Sequence, residues 1–286
     1  MRFAFVERRS KEFPVKLMCQ VLDVSRSGYY AWLGRPAGAR AERAARVKER
    51  IRRAHEESRF TYGSPRVAAE LKAQRVGACE NTVAKYMRQE GLCATPRRRF
   101  VPRTTDSSHP HPVAPNVLGR DFAADGPDLK WAGDLTYVWT DQGWLYLSVV
   151  IDLFSRRVVG WSMSDDLKAG GVADALEMAL ARRRPGSGLL HHSDRGVQYA
   201  CAAYRRLLEG NGIACSMSRP GNCYDNAVVE SFFGTLKSEP VHRRRYRTRA
   251  EARADVFEWI ECWYNRRRRH SSLGYRSPEQ FEAQLN

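Results

Sequence analysis

Hydrophobic positions in the first third of the chain recur at helical spacing. After Pro14, the residues Val15, Met18 and Leu22 fall three or four positions apart, as on one face of a helix. The stretch LDVSRSGYYAWL follows, with Ser25 or Ser27 placed to cap a second helix. This order of helix, short turn and helix predicts either a helix-turn-helix pair that docks on DNA or a small helical bundle with a solvated basic face.

The hydrophobic period becomes that of strands in the middle of the chain. The runs WAGDLTYVWT and WLYLSVVIDLFSRRVVGWSM are rich in β-branched and aromatic residues, and Asp141-Gln142-Gly143 forms a turn between them. Helical patterns at 173–183 and 199–208 then alternate with short strands. This order of elements predicts the α/β class, with a mixed five-stranded sheet and flanking helices.

The stretch DNAVVESFFGTLK predicts an amphipathic helix that borders the core of this sheet. Its apolar stripe at i, i+3, i+4 and i+7 consists of Val229, Phe232, Phe233 and Leu236. At about 100° per residue, Asn226, Glu230 and Lys237 cluster on one flank of the helix. We therefore expect that flank to face a site rather than open solvent.

A proline-rich stretch separates the two patterns. Six prolines occur within 95–128 without a helical or strand period, and Arg97, Arg98 and Arg99 lie near its start. The predicted organisation is a helix-turn-helix-like region at 1–94, a basic linker at 95–128, the α/β core at 129–240 and a basic helical extension at 241–286.

The charge of the chain indicates a polyanionic partner. Lys and Arg number 48 against 32 Asp and Glu, which gives a formal net charge of +16 over 286 residues. Residues 1–120 hold 25 basic against 11 acidic side chains, and 241–286 hold 11 against 6, whereas 121–240 hold 12 against 15. Basic ends around a slightly acidic middle favour an enzyme that handles nucleic acid over a protein that only coats DNA.

Membrane and secreted classes are excluded by the pattern of the chain. The longest apolar run, at 144–151, is far short of the about 20 residues that a membrane helix needs. The first residues contain no secretory signal, and the seven cysteines form no CxxC pair. We expect reduced thiols and a cytoplasmic protein associated with the nucleoid, with no membrane partner.

Three acidic residues stand where structure alone would not require them. Asp134 lies inside the first strand run, Asp194 ends the LLHHSD strand, and Glu230 lies on the flank of the amphipathic helix. Each acid alone is typical of a cap or a surface. Together they indicate a divalent-metal site, because hard ions such as Mg²⁺ bind carboxylates together with phosphate oxygens.

These motifs resemble the bacterial insertion-sequence transposases of the DDE type, within the retroviral-integrase superfamily. Asp134 in WAGDLTY, Asp194 in HSDRGVQY and Glu230 in DNAVVESFFGTLK are similar to the acidic triad of this family, with its spacing of 35 residues between the last two acids. Lys237 matches the basic residue that the family places near the DNA end. The ending from WYN through RHSSLGY to SPE also resembles the family, and the likeness begins near residue 13.

The resemblance implies an RNase H-like integrase core that uses two Mg²⁺ or Mn²⁺ ions, held by Asp134, Asp194 and Glu230. It implies cleavage at the ends of a transposon, followed by joining of the freed 3′-hydroxyl to target DNA. We expect phosphate contacts from Lys237, from Arg97, Arg98 and Arg99, and from Arg266, Arg267, Arg268 and Arg269.

The resemblance also bears on partners and zinc. Joining two DNA ends implies a homo-oligomer on DNA. The family pattern also implies a partner that is encoded in an upstream reading frame, and this chain is then expected to be the product of the second frame. His55 is the only histidine before the linker, and Cys79 and Cys93 lack the spacing of zinc ligands, so no zinc is expected.

Two alternatives to a transposase remain at this stage. An RNase H-like nuclease would cut nucleic acid without joining it. A catalytically silent DNA-binding regulator of transposition would retain the fold but not the reaction. The complete triad argues against the regulator, and the basic extension favours joining over cutting alone.

Overall fold

A computed structural model describes residues 1–34, 38–94, 111–167 and 169–285. The chain forms two compact units, Met1–Arg53 and Ala54–Asn286, and each is described by itself below. The predicted DNA contacts Arg97, Arg98 and Arg99 lie outside the described residues.

The first unit is helical, as its hydrophobic spacing predicts. Its helices are α1 (Arg2–Arg9), α2 (Val15–Val21), α3 (Arg26–Leu33) and the beginning of α4 (Ala39–Glu57). Ser25 caps α3 by accepting a hydrogen bond from the backbone N–H of Gly28. Met18, Cys19 and Tyr29 are buried in its core together with Val6 of α1, a helix that the sequence pattern did not indicate.

The second unit begins within α4 and includes the remaining helices of the predicted N-terminal region, α5 (Ser64–Ala73) and α6 (Glu80–Gln89). Pro65 stands in the first turn of α5, where its missing N–H costs no hydrogen bond. Val67 and Leu71 of α5 and Val83 and Met87 of α6 are buried, as expected for helices that pack through one apolar face.

A five-stranded mixed sheet forms the centre of this unit, which confirms the predicted sheet. Its strands are β1 (Lys130–Thr140), β2 (Gly143–Asp152), β3 (Val158–Ser164), β4 (Leu190–Ser193) and β5 (Ala214–Met217), in the order β3-β2-β1-β4-β5. The first three strands form an antiparallel meander, whereas β4 and β5 run parallel to β1. Parallel neighbours require crossover connections, which the helices supply.

Four helices accompany the sheet: α7 (Ala169–Arg183), α8 (Val197–Ala200), α9 (Ala202–Gly210) and α10 (Ala227–Ser238). Trp131 of β1 is fully buried in a core that includes Leu176 of α7 and Tyr204 of α9. The helix α7 lies so close to β3 that a Cβ at Gly160 would stand 2.1 Å from the carbonyl oxygen of Ala175. A glycine is therefore required at this position.

The basic extension is helical as predicted and packs back on the core. It consists of α11 (Arg249–Glu258), a π-helical turn (Trp259–Tyr264) and α12 (Pro278–Glu282). The side-chain amide of Asn265 bonds both the N–H and the C=O of Val158, at 2.9 and 3.0 Å. Glu282 accepts hydrogen bonds from Arg157 and Arg183, at 2.8 and 2.9 Å.

Within the described ranges, no helix has the length and apolar character to cross a bilayer.

Candidate active site

Asp134 lies in β1, and Asp194 immediately follows β4, the strand that runs parallel beside β1. The β1–β4 ladder pairs Lys130 with Leu190 and Ala132 with His192, so that paired residues differ by 60 positions in the sequence. Asp134 and Asp194 differ by the same 60 positions. The last pair of this ladder is Ala132 and His192, so each aspartate lies two residues beyond its end. Neighbouring strands of a sheet are about 4.8 Å apart.

The surroundings of Asp134 oppose its ionisation. Burial raises the pKa of this carboxyl well above its usual range, and the negative charges of Asp194 and Glu230 raise it further. The backbone N–H of Leu135 donates to Asp134 Oδ1 at 2.8 Å and acts in the other direction, as does Lys237. The three acids predicted from the sequence therefore interact electrostatically in the folded chain.

The loop after β4 fixes the second acid. Asp194 Oδ1 accepts a hydrogen bond from the backbone N–H of Gly196 at 2.9 Å, and the side chain stays partly exposed. Gly196 precedes α8, whose Tyr199 is buried beside both aspartates. Burial raises the pKa of the Tyr199 hydroxyl, and the charges of Asp134 and Asp194 add to this effect.

The third acid is carried by α10, which begins against β1. Asn226 is buried at the N-cap of α10, and its amide donates to the carbonyl oxygen of Gly133 at 3.3 Å. Because Glu230 follows Asn226 by four residues, it lies one helical turn further along the same face. Glu230 is exposed to solvent, although partial desolvation raises the pKa of its carboxyl.

A fourth acid, Asp225, anchors the start of α10 but was not identified from the sequence. This carboxylate is completely buried and accepts hydrogen bonds from both the backbone and the guanidinium of Arg219, at 2.8 to 2.9 Å. Arg120 and Asn116 donate to it as well, at 2.8 and 2.9 Å. The bonds from Arg219 hold the pKa of Asp225 far below its usual range.

Lys237 lies within electrostatic reach of Asp134, as its position on the flank of α10 predicts. Its Nζ stands 4.9 Å from the centre of the Tyr137 ring, a cation–π contact with β1. Desolvation lowers the pKa of Lys237, and the charge of Asp134 opposes this. The ammonium group therefore brings positive charge to an otherwise acidic site.

The two histidines before Asp194 are structural. His192 is buried, with Nδ1 at 2.9 Å from Ser216 Oγ and Nε2 at 3.1 Å from Ser218 Oγ. Burial lowers the pKa of His192 to about 4, so its ring is neutral at physiological pH. His191 is buried as well, and its Nε2 lies 3.2 Å from the hydroxyl of Tyr204.

The run of four arginines in the extension divides into two exposed and two buried side chains. Arg266 and Arg267 are exposed. Arg268 is 2% exposed and pairs with Glu239 at 2.8 Å, and Arg269 is 9% exposed and pairs with Glu70 at 2.6 Å. The expected phosphate contacts therefore do not fit Arg268 and Arg269, whose guanidinium groups are engaged by carboxylates of the protein itself.

The donor set at the acidic triad matches the chemistry of a hard divalent cation. Carboxylate oxygens are the ligands that Mg²⁺ prefers, and a cation would relieve the repulsion that raises the pKa of Asp134. In the part of the chain that the structure describes, no three acidic, histidine or cysteine side chains form a group that could hold a metal ion.

Comparison with known families assigns the same regions. The family described as "Integrase core domain" matches residues 124–223, and a second one of the same description matches 211–278. The family described as "HTH-like domain" matches 42–100. These matches confirm the predicted α/β class, with an RNase H-like integrase core that follows a helix-turn-helix-like region.

Curated relatives match nearly the whole chain. The transposase InsF for insertion sequence IS3A of Escherichia coli (strain K12) is 47% identical over 284 residues, which are 99% of this chain and 98% of that protein. The uncharacterized 31 kDa protein of insertion element IS600 of Shigella sonnei is 44% identical over 269 residues, which are 94% of this chain and 98% of that protein.

Solved structures with a similar backbone are viral integrases. The simian T-cell lymphotropic virus intasome in complex with PP2A regulatory subunit B56 gamma has a TM-score of 0.48 and 17% identity, covering 75% of this chain and 70% of that one. The catalytic core domain of BIV integrase has a TM-score of 0.41 and 20% identity, covering 55% and 95%.

Proposed function

Since this chain belongs to the insertion-sequence transposases of the IS3 type, with an integrase core, we propose that Asp134, Asp194 and Glu230 are its catalytic carboxylates. Enzymes of this family carry out DNA transposition as polynucleotidyl transferases. The observation that carries the proposal is that Asp194 and Glu230, from two other elements, both act electrostatically on Asp134 within the central strand. An arrangement that costs electrostatic energy in the free protein is typical of a functional site.

Integrase-core enzymes use divalent metal ions, and we propose that the triad holds two Mg²⁺ or Mn²⁺ ions, which supply Lewis acidity at the reacting phosphate. The protein itself holds the three carboxylates in fixed positions. Asp134 is fixed within the central strand, Asp194 is fixed by the Gly196 N–H, and Glu230 is fixed through Asn226. Holding reacting groups in place in this way lowers the entropic part of the barrier.

The proposed reaction exchanges one phosphodiester bond for another. Water first cleaves a phosphodiester at the end of the element, which frees a 3′-hydroxyl. The oxygen of this hydroxyl then attacks a phosphorus atom in target DNA and forms a new P–O bond. The bond from that phosphorus to the 3′-oxygen of the target strand breaks, and this oxygen leaves and takes up a proton. The joining step keeps the number of phosphodiester bonds constant, so it needs no ATP.

DNA contacts extend beyond the triad in this proposal. Lys237 is placed to neutralise a phosphate next to the carboxylates, and Arg266 and Arg267 are exposed for further contacts. The helix-turn-helix-like region supplies a second DNA-binding part, as in the domain organisation predicted from the sequence. Arg97, Arg98 and Arg99 of the linker stay predicted contacts.

We further propose a homo-oligomer on DNA, because the joining of two element ends in one reaction requires two active sites. Partnership with the product of an upstream reading frame stays a prediction. The chemistry on chromosomal DNA is consistent with a cytoplasmic, nucleoid-associated enzyme.

The proposal is tested by strand transfer with duplex DNA taken from the flanks of the element's own coding region, in Mg²⁺ buffer. Asp194→Asn is expected to lower joining by about a thousandfold or more, since a metal ligand is lost. Asp174→Asn, at an exposed aspartate of α7, is the matched control and is expected to join at the rate of the unchanged protein. DNA binding in EDTA should be the same for both variants. Joining by Asp194→Asn at the unchanged rate would refute the site assignment.

A further inference from the structure

Three aromatic side chains form a cluster on the β1–β2 hairpin, at the far end from the catalytic strand positions. The rings of Trp139 and Trp144 meet edge to face with centres 4.7 Å apart, and Tyr137 meets Trp144 at 4.8 Å. We call these three residues the hairpin aromatic cluster. Trp139 is 56% exposed and Trp144 is 41% exposed. Adjacent exposed aromatics of this size are typical of an interaction surface.

The cluster stands on a rigid support. Trp139 and Trp144 are directly paired across the hairpin, and the hydroxyl of Thr140 donates to the carbonyl oxygen of Gly143 at 2.6 Å. Arg249 of α11 donates to the carbonyl oxygen of Trp144 at 3.0 Å. Rigid aromatic groups lose little conformational entropy when a ligand binds, so their exposure favours binding over mere tolerance of apolar surface.

Lys237 connects the cluster with the active site. Tyr137 is three residues after Asp134 on the same strand, and its ring carries the ammonium group of Lys237 at 4.9 Å. Lys237 in turn acts electrostatically on Asp134. Lys237 therefore contacts the aromatic cluster and acts electrostatically on one carboxylate of the triad.

Positive charge on both sides of the cluster favours a polyanion as its occupant. Lys237 lies on one side, and Arg245 and Arg249 lie at the hairpin turn, where Arg245 is mostly solvent-exposed despite its ion pair with Asp141 at 3.1 Å. A two-fold contact between copies of this chain would set the same cations against each other. An unpaired DNA base supplies a π-face for the rings and a phosphate for the cations.

We propose that the hairpin aromatic cluster stacks on unpaired bases of the DNA end while the triad acts on its backbone. The inference rests on the proposed function, since it assumes that DNA occupies the triad. In this proposal the cluster holds a frayed or flipped DNA end. Duplex DNA must first fray or flip a base out, because an aromatic side chain cannot otherwise reach the face of a base.

The test compares two labelled single-stranded probes in EDTA, a dT12 oligonucleotide and a 12-unit abasic oligonucleotide with the same phosphate charge. The double variant W139A/W144A is expected to bind dT12 about tenfold more weakly or worse, because base stacking is lost, and to bind the abasic probe unchanged. W139F/W144F keeps the π-faces and should retain most of the affinity for dT12. Phe257→Ala, at an exposed aromatic of α11, is the matched control and should bind both probes as before.

Either of two results would overturn the inference: unchanged dT12 binding by W139A/W144A, or equal weakening for both probes. Loss of a dimer in sedimentation without a change in dT12 affinity would instead assign the cluster to a protein interface and also overturn it. Thermal unfolding of each variant verifies that it is folded. Because the assay needs neither metal nor catalysis, a chain that fails in strand transfer yet stacks dT12 through the cluster would separate the two proposals.

Discussion

Arg268 is held against Glu239 by three hydrogen bonds, from Nε to both carboxylate oxygens and from Nη2 to Oε1, at 2.8 to 3.1 Å. Both side chains are almost fully buried. A guanidinium placed in this way stabilises the fold rather than binding DNA. Its neighbours Arg266 and Arg267 are exposed, and Arg266 lies 3.8 Å from the partly exposed carboxylate of Glu279. Substitutions along this run therefore separate DNA contact from support of the fold.

We therefore predict different salt dependences along this run. Arg266→Gln and Arg267→Gln should each reduce the slope of log affinity against log salt by about 1, because one phosphate contact is lost. Arg268→Gln should leave the slope unchanged and lower the free energy of unfolding by about 3 kcal/mol, since Glu239 is left buried without a partner. Fluorescence anisotropy over a salt series and denaturant unfolding measure the two effects. A reduced slope for Arg268→Gln would contradict the assignment.

Asp225 is predicted to be as important for the fold as the triad is for the reaction. Asp225→Asn removes the charge that engages Arg219 and Arg120, and it should lower the free energy of unfolding by about 3 kcal/mol. Asp121→Asn removes an exposed ion pair with Lys130 and should cost much less stability, because solvent screens this pair. Urea unfolding of both variants makes the comparison, and equal costs would show that the buried carboxylate has no special role.

Loss of stability by Asp225→Asn should come with loss of joining at temperatures where the variant is still folded by circular dichroism. The reason is positional, because Asp225 immediately precedes Asn226, which fixes α10 and Glu230 against β1. A folded variant with unchanged joining would separate the anchor from the site.

Divalent metal is predicted to stabilise the protein through the triad. In EDTA at neutral pH, Asp134→Asn should be more stable than the unchanged protein. The raised pKa of Asp134 means that its ionisation costs folding free energy as pH rises through that pKa, and asparagine does not ionise. Added Mg²⁺ at 100 times its Kd should stabilise the unchanged protein by about 2.7 kcal/mol and so raise its unfolding temperature. Both effects should be much smaller in Asp134→Asn.

The matched control for this metal effect is Asp174→Asn, which should gain as much stability from Mg²⁺ as the unchanged protein does. Calorimetry over a metal series gives both quantities. A full metal response in Asp134→Asn would remove this residue from the metal site.

Acid is predicted to destabilise the core through His192. The folded pKa of about 4 lies below the ordinary 6.5, so between these values the unfolded chain binds a proton that the folded chain does not. The contribution of His192 to the free energy of unfolding is therefore fully present above pH 6.5. It falls as pH drops toward 4, by about 1.4 kcal/mol per pH unit. His192→Gln should lose this part of the slope, whatever its absolute stability.

Urea unfolding at pH 7, 6 and 5 measures the slope for the unchanged protein and for His192→Gln. An unchanged slope in His192→Gln would assign the acid sensitivity to other groups.

The sheet could be predicted from the sequence because it depends on local pattern, and local pattern also singled out the three acids that stay the proposed site. Alternation of β-branched and aromatic residues marked β1 and β2, and the apolar stripe of α10 oriented Glu230 and Lys237. The parallel pairing of β1, which contains Asp134, with β4, which Asp194 follows, joins two strands that are far apart in the chain. This pairing could be read only from the structure.

Long-range partners also explain what sequence reasoning missed. Asp225 resembles an ordinary helix-cap residue, and its donors Asn116 and Arg120 lie more than 100 positions away. The four arginines from 266 to 269 form a uniform charged run in the sequence. Two of them meet Glu239 and Glu70, which local pattern does not reveal.

The docking of the C-terminal extension has a consequence for the order of events on the ribosome. Asn265 completes the hydrogen bonding of Val158, and Glu282 neutralises Arg157 and Arg183 of the core. During translation, the three acids of the triad are therefore synthesised before the residues that complete the fold around them. Until translation reaches Glu282, those arginines lack their shared carboxylate, so a product truncated before it would carry the acidic triad without these contacts. Completion of the fold around the triad therefore has to wait until the extension has been synthesised.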